Sequence, residues 1–364
     1  MSLRYTLKFA VGFLFTVFFT LLVLLSDGCT SKNSQESSAA IEADKKVLHI
    51  YCWSNYFSPK FISEFEKSTG IKLDLNYFSS NEELMAKLQA GARGYDLIVP
   101  TGYLINALKN LNLIEPLGKI DWPELSTLSG RGKNPEHDPN YEYTIPYQMG
   151  STGIAVNRAK LTTKVDSLSW IFEHPELKGQ ISMLDDAPSV IGAALKYLGY
   201  SYNEGSDQAL QKAKELLKKQ KPLLKTYSGD PMPIFESGEI TIGQMYSGDA
   251  YQVRRKNPKV EFILPKEGGE FFVDYLAIPK GAKNIDGAKV FMRYSLNQKL
   301  AIEQAKHLFY IPAVGIAGVA EAAELLKLPA MNSSSDALKN FETLKDNPER
   351  LEKLQRIWTE LKSS

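Results

Sequence analysis

Cysteine is scarce in this chain of 364 residues: the two cysteines are too few for a disulfide framework or for a zinc site built from cysteine. The four histidines lie far apart, without the spacing of a metal-binding helix, so we assign no metal and no cofactor. An excess of charge is lacking too, since 43 basic and 42 acidic residues leave a formal net charge of +1. This balance argues against a nucleic-acid-binding surface and against a polybasic membrane patch. The length predicts two or three domains.

One uncharged run, at the N-terminus, differs from the rest of the chain. Arg4 and Lys8 precede 17 residues without charge, Phe9 to Leu25, and a small residue, Gly28, precedes Cys29. This pattern predicts a secretory signal peptide over residues 1–28. The cysteine after it resembles that of a bacterial lipoprotein, so Cys29 is the predicted lipidation site, followed by a polar tether over residues 29–46.

Two alternatives to this interpretation stay open. The apolar run reaches the lower limit of a membrane-spanning helix, so it could be an uncleaved anchor; either way, Val47 onward lies outside the cytoplasmic membrane. Cys52 is predicted to be an unpaired, buried thiol within a strand, and the alternative is a disulfide between Cys29 and Cys52.

The exported part alternates predicted strands and helices. Val47 to Trp53 reads as a buried strand, and Ser58-Pro59 begins a helix that Gly70 ends. Asn81 is the predicted cap of the next helix. A second series of alternating strands and helices follows the first. Its predicted strands are Ser151 to Val156, Gln180 to Leu184, Glu239 to Met245, Val260 to Leu264 and Tyr275 to Ile278. The alternation predicts two α/β lobes.

Aromatic and acidic side chains recur at the ends of these elements. Ligands in open α/β sheets bind beyond the carboxyl ends of the strands, so these residues are expected to converge. Ammonium groups bind carboxylates and aromatic faces, and such a pocket therefore suits an elongated amine. Each residue alone has a structural explanation; Asp186 could be only a helix cap, and we interpret Asp74 and Asp96 as structural. The candidates are Trp53, Ser54, Tyr56, Thr101, Tyr103, Asp186, Tyr246, Asp249, Phe272, Asp274 and Tyr310.

The chain contains, in this order, the motifs IYCWSNYFSPKF, YDLIVPTGY, SMLDDAPSV, GQMYSGDAY and LPKEGGEFFVDYLAIPKGAKN. In type and in order, these motifs resemble those of the periplasmic spermidine/putrescine-binding proteins of bacterial polyamine ABC transporters. The resemblance implies a two-lobed α/β type II periplasmic-binding-protein fold, with the ligand in the cleft between lobes. We expect one lobe to comprise residues 47–146 and about 275–315, and the other residues 147–274 and about 316–364.

The resemblance also assigns roles. Trp53 and Tyr56 match the first aromatic pair of the family's pocket, and Asp186 and Asp274 match its amine-binding carboxylates. Thr101 and Tyr103 match a pocket loop, Tyr246 and Phe272 stand where the family often has Trp, Asp249 matches a carboxylate of the putrescine-type members, and Tyr310 matches an aromatic near the hinge.

Two departures from the family pattern affect the expected ligand. Asn55 stands where many members have an acidic residue, and Ser189 stands where an acidic residue often completes the site. The pocket is therefore expected to be less acidic than a spermidine site. This favours putrescine-type recognition, in which Asp249 and Asp274 neutralise the two ends of a diamine.

The resulting hypothesis is a lipid-anchored, non-enzymatic binding protein that delivers a polyamine to a membrane permease driven by a cytoplasmic ATPase. It would work in the periplasm, or on the outside of the cytoplasmic membrane, as a monomer. Three alternatives stay open: another ligand in the same fold, such as an organic cation, amino acid or sugar; a polyamine-sensing lipoprotein; and an exported enzyme. The enzyme is disfavoured because the chain has no GxSxG motif.

Overall fold

The computed structural model of the protein describes residues 46–332 and 335–363. The predicted signal peptide, Cys29 and residues 30–45 of the predicted tether lie outside the described residues. Within the part that the structure describes, no helix combines the length and the apolar character that a membrane crossing requires.

Eleven strands and twelve α-helices make up the described chain. The strands are β1 Val47–Trp53, β2 Lys72–Phe78, β3 Leu97–Ile98, β4 Ile114–Glu115, β5 Thr144–Asn157, β6 Ile181–Leu184, β7 Leu224–Ser228, β8 Ile242–Tyr246, β9 Val260–Ile263, β10 Phe271–Pro279 and β11 Ile311–Pro312. The helices are α1 Pro59–Thr69, α2 Asn81–Gln89, α3 Ile105–Asn110, α4 Ser169–Phe172, α5 Ala187–Tyr197, α6 Asp207–Gln220, α7 Met232–Glu236, α8 Ser247–Lys256, α9 Ile285–Ser295, α10 Gln298–Leu308, α11 Ala323–Leu326 and α12 Pro348–Ser363.

The strands follow the order β2-β1-β3-β10-β5-β8-β6-β7, with β4 on β10 and with β9 and β11 on β5. Pairing is parallel between β1 and β3 and among β8, β6 and β7, whereas β10 and β5 run antiparallel to their neighbours. We call the half containing β1 to β4 the first lobe and the half containing β6 to β9 the second lobe; β10 and β5 lie between these halves in the strand order.

Strand β5 connects the two lobes. Its first part, Thr144 to Ser151, pairs with β10, and its second part, Thr152 to Asn157, pairs with β8 and β9. Every residue of β5 and of β10 is buried. Because strands buried on both faces show no alternation of polar and apolar residues, the sequence located only parts of these two strands.

Local capping signals explain where helix α1 begins and ends, as predicted. The Ser58 hydroxyl accepts the Phe61 N–H at 3.1 Å, and Gly70 ends the helix with φ of 74°. The predicted cap of α2 is wrong by one residue. Ser80 has the extended backbone of a cap and accepts the Glu83 N–H at 3.1 Å, so Asn81 is the first helical residue.

Three further features are a divided helical segment, the buried Cys52 and the packing of the last helix. Residues 102–110 form a 3-10 turn at Gly102–Leu104 followed by α3. Cys52 is a fully buried free thiol, and burial raises its pKa to about 12. The last helix, α12, packs on α5 and α6 through Leu354 and Leu361.

Candidate ligand-binding cleft

A cavity of about 440 Å³ lies where the ends of β1, β3, β6 and β8 meet β10. All the residues predicted from sequence line it, namely Trp53, Ser54, Tyr56, Thr101, Tyr103, Asp186, Tyr246, Asp249, Phe272, Asp274 and Tyr310. Sequence positions up to 257 residues apart therefore converge as expected, because strand ends share one edge of a sheet. Their contact with a ligand stays a prediction.

Asp274, on β10, is the most enclosed of the predicted carboxylates, with 3% of its surface exposed. Its two oxygens accept hydrogen bonds from the hydroxyls of Tyr56, at 2.5 Å, and Thr101, at 2.6 Å. Burial raises the pKa of Asp274 to about 7, although both hydrogen bonds act to lower it. The Thr101 backbone is itself held, since its N–H donates to the Asn81 side chain at 3.1 Å. The carboxylate is therefore oriented before any ligand arrives.

Asp249 lies in the first turn of α8, where the helix dipole favours negative charge. The hydroxyl of Tyr310 donates to it at 2.8 Å. Burial raises the pKa of Asp249 to about 6, and the hydrogen bond from Tyr310 opposes the rise. Gly248 allows this arrangement, because a Cβ there would stand 2.5 Å from the Tyr310 ring.

Asp186 has both of the roles that the sequence left open. It caps α5, accepting the Ser189 N–H at 2.8 Å, and it also lines the cavity. Burial raises the pKa of Asp186. On the first-lobe side, burial and then the nearby Asp186 charge raise the pKa of Glu82 to about 7.

Glu270 is a cavity residue that the sequence analysis missed. It precedes β10, is 5% exposed, and accepts hydrogen bonds from the hydroxyls of Ser189 and Tyr202, each at 3.0 Å. Burial, and next the Asp186 charge, raise the pKa of Glu270 to about 8. The available signal was its position: it lies two and four residues before Phe272 and Asp274, on the same face of an extended chain.

Aromatic rings connect these carboxylates. The Tyr56 and Tyr310 ring centroids are 6.1 Å apart, those of Tyr310 and Phe272 are 6.0 Å apart, and those of Phe272 and Tyr246 are 5.6 Å apart. Trp53 packs edge-on against Phe78 at 4.6 Å. The cavity therefore has aromatic walls between its acidic groups, a combination that favours cations with apolar chains.

The charge of the lining is of one sign. None of the described residues that line the cavity is Lys, Arg or His. At the rim, Lys362 pairs with Asp185 at 2.7 Å. Within residues 46–332 and 335–363, no group of three or more His, Cys, Asp or Glu side chains is arranged to hold a metal ion. The acidic lining residues are Glu83, Asp185, Asp186, Asp230, Asp249, Glu270 and Asp274.

Asn55, one of the two departures noted in the sequence, lies outside the cavity lining. Its backbone adopts a left-handed conformation with φ of 53°, which Asn tolerates well. Its amide donates to Gln252 on α8 at 2.9 Å, so it joins the turn after β1 to the second lobe. The hydroxyl of the other departure, Ser189, donates to Glu270, so a carboxylate lies beside this position although the helix does not supply it. The expectation that the pocket is less acidic than a spermidine site stays a prediction.

Comparison with known proteins identifies the family. Residues 60–333 match the family described as bacterial extracellular solute-binding protein. The chain belongs to this family of solute-binding proteins. The spermidine/putrescine-binding periplasmic protein of Salmonella typhimurium is 35% identical over 276 residues, which cover 75% of this chain and 79% of that protein. The putrescine-binding periplasmic protein PotF of Escherichia coli is 32% identical, covering 90% of this chain and 94% of the relative.

A solved structure shows the same similarity for this solute-binding protein. The putative spermidine/putrescine ABC transporter protein from Listeria monocytogenes has a TM-score of 0.76 and 32% identity, and the match covers 87% of this chain and 99% of that one. The predicted fold class, a two-lobed α/β type II periplasmic-binding-protein fold, is confirmed.

Proposed function

We propose that this solute-binding protein captures a protonated polyamine in the cleft between its lobes. The observation that carries the proposal is the cavity lining, which among the described residues combines seven carboxylates and eight aromatic residues without a cationic side chain. Burying an ammonium group without a partner costs several kcal/mol, so a site with paired carboxylates selects a ligand with several positive charges. The names of the similar proteins, which refer to spermidine and putrescine, support the same ligand class.

Each part of the lining has a role in this proposal. Asp274 and Asp249 bind two ammonium groups, and the rings of Tyr56, Tyr310 and Phe272 enclose the methylene chain between them. Each buried methylene contributes about 0.8 kcal/mol. The hydroxyls of Tyr56, Thr101 and Tyr310 orient the carboxylates, and Trp53, Ser54, Tyr103, Asp186 and Tyr246 complete the enclosure.

Closure of the cleft is the functional motion of this proposal. The lobes are residues 47–146 with about 275–315 and residues 147–274 with about 316–364, and β5 and β10 form the connection between them. Ligand charges cancel the repulsion among carboxylates of the two lobes, such as Glu82 and Asp186, and so favour the closed form. The closed form would then deliver its ligand to an ABC permease without chemical conversion.

The location is also part of the proposal. We infer a periplasmic protein, or one outside the cytoplasmic membrane, held by a lipid on Cys29. The support is the N-terminal sequence pattern, Arg4 and Lys8 followed by an apolar run and Gly28-Cys29, together with the periplasmic relatives. Incorporation of labelled fatty acid into the wild-type protein, and its loss in Cys29→Ala, would test the anchor.

Calorimetric titration tests the ligand class. The purified protein is titrated with putrescine, cadaverine, spermidine, spermine, arginine and maltose. We expect heat of binding for one or more polyamines and none for maltose. The double substitution Asp249→Ala with Asp274→Ala should abolish binding while the far-ultraviolet circular dichroism spectrum is unchanged. Retained affinity in the double variant, or tight binding of arginine or maltose alone, would reject the proposed ligand.

A further inference from the structure

Glu270, Phe272 and Asp274 lie on one face of the chain that enters and forms β10. Alternate residues of an extended chain point to the same side, and four residues span about 13 Å. All three line the cavity. The result is a pair of carboxylates with an aromatic ring between them. The backbone of Glu270 is fixed at the point where β5 changes lobes, since its N–H donates to the Thr152 hydroxyl at 3.1 Å and its carbonyl accepts the Thr152 N–H at 3.0 Å.

No cation pairs with Glu270 among the described residues. Arg350 interacts electrostatically with Glu270, but its guanidinium donates to the backbone carbonyls of Tyr202, at 2.6 Å, and Glu204, at 3.0 Å. The other titratable groups that face it are Asp186 on the second lobe, Asp274 on β10, and the phenols Tyr103, Tyr202 and Tyr246. The carboxylic acid thus meets mostly negative or neutral neighbours.

The hydrogen bonds around Glu270 suit a protonated acid in the empty cleft. Tyr202 has a single hydroxyl proton, and its oxygen lies 3.0 Å from both the Pro188 carbonyl and Glu270. When Tyr202 donates to Pro188, its oxygen is free to accept a hydrogen bond from the protonated carboxyl group of Glu270. Both hydroxyl contacts of Glu270 are made through Oε2, and Oε1 has no hydrogen bond within the described part of the chain. One oxygen is therefore free for a ligand.

We propose that Glu270 is a specificity-determining residue, a third carboxylate that receives the additional ammonium group of a triamine and releases a proton as it does so. This inference rests on the proposed function. Asp249 and Asp274 bind the two ammonium groups of a diamine. The Tyr310 hydroxyl donates to Asp249 and the Tyr56 hydroxyl donates to Asp274, and the centroids of these two rings are 6.1 Å apart. Along the same face of the chain, Phe272 separates Glu270 from Asp274, and Glu270 lines the cavity, so a longer ligand that extends past Phe272 would reach it. Its raised pKa supports the proton release.

This role also explains Ser189. The resemblance implies that an acidic residue often stands at this position, and in this chain the Ser189 hydroxyl donates to Glu270 at 3.0 Å. The carboxylate thus comes from the residue before β10 instead of from α5, and it lies within hydrogen-bond distance of Ser189. Replacing Ser189 by Glu should therefore restore spermidine binding in a protein whose Glu270 is replaced by Gln.

The test compares spermidine with putrescine by calorimetry at pH 7.5, in wild type and Glu270→Gln. We expect the spermidine dissociation constant to rise about 10- to 100-fold in the variant, as for a lost hydrogen bond to a charged group, and that of putrescine to change less than about threefold. Titration in two buffers with different heats of ionisation counts the protons. Wild type should release more protons with spermidine than with putrescine, and Glu270→Gln should lose this difference.

Two matched variants control for charge and for folding. Glu82→Gln removes a nearby carboxylate that does not line the cavity, and it should affect both ligands equally. Ser189→Glu in the Glu270→Gln background should recover spermidine binding. If Glu82→Gln reproduces the spermidine defect, or if Glu270→Gln weakens both ligands equally or neither, the inference is overturned while polyamine binding stands.

Absence of polyamine binding by the wild-type protein would instead reject the proposed function. If Glu270→Gln fails to fold, the proton count of wild type decides, since equal release with both ligands excludes a role for Glu270 in binding a third ammonium.

Discussion

Replacing Asp274 by Asn should weaken polyamine binding and, at the same time, stabilise the empty protein. The substitution keeps the size of the side chain and removes the charge. An Asn oxygen can still accept one of the two hydroxyl hydrogen bonds, from Tyr56 or Thr101, and its amide can donate to the other hydroxyl. The local packing is therefore preserved, and the effect reports on charge.

The loss of affinity follows from the burial of Asp274. In the Asp274→Asn variant, an ammonium group that enters the cavity has no carboxylate partner at position 274. In the wild type, Asp274 is only 3% exposed. Breaking one side of a buried ion pair costs about 3–5 kcal/mol, which corresponds to about 10²- to 10⁴-fold in the dissociation constant. Calorimetric titration with spermidine and putrescine measures this change.

The gain in stability follows from the pKa of Asp274, about 7 against an ordinary value of 3.8. A carboxyl group with a raised pKa in the folded state binds its proton more tightly there than in the unfolded chain. It therefore makes the fold less stable as the pH rises from about 4 to 7. Above pH 7 the difference corresponds to about 4 kcal/mol, and at pH 5 to about 1–2 kcal/mol. Asp274→Asn removes this penalty, so its melting temperature should exceed that of wild type by more at pH 8 than at pH 5.

Asp138→Asn is the matched control. Asp138 is also buried, at 2% exposure, but it lies outside the cavity and accepts hydrogen bonds from the backbone of Glu142, Tyr143 and Thr144. Its substitution should lower the melting temperature and leave the affinity unchanged. The reasoning is refuted if Asp274→Asn binds spermidine within threefold of wild type, or if it melts below wild type at pH 8.

Two further predictions concern pH and the aromatic wall. Polyamine affinity should fall as the pH is lowered from 8 to 6, by up to about tenfold per pH unit for each proton displaced, because Glu270, Asp274 and Asp249 take up protons near pH 8, 7 and 6; a flat calorimetric profile would contradict this. Gly248→Ala should weaken binding about tenfold, since its Cβ would stand 2.5 Å from the Tyr310 ring and disturb the hydrogen bond to Asp249. Gly205→Ala, where the nearest atom is at 3.5 Å, serves as its control, and equal affinities in the two variants would argue against the steric explanation.

Local signals allowed much of the architecture to be predicted. The strand Val47–Trp53 and the ends of α1 at Ser58 and Gly70 agree with the sequence-based prediction, since capping and strand composition are properties of neighbouring residues. The full lengths of β5 and β10 could not be predicted in this way. Their uniform burial comes from packing between two lobes, which no local window contains.

The amino-acid sequence by itself determined the class of this protein: its two α/β lobes, its family, and the aromatic and acidic residues that follow strand ends, which the rules of parallel sheets bring together. Only the tertiary structure decided how those residues act on one another. Glu270 reaches Ser189 across 81 positions, and Asp274 meets Tyr56 across 218. Burial raises the pKa of both carboxylates, and the hydrogen bonds act to lower it. Both effects depend on distances that the order of residues along the chain does not specify.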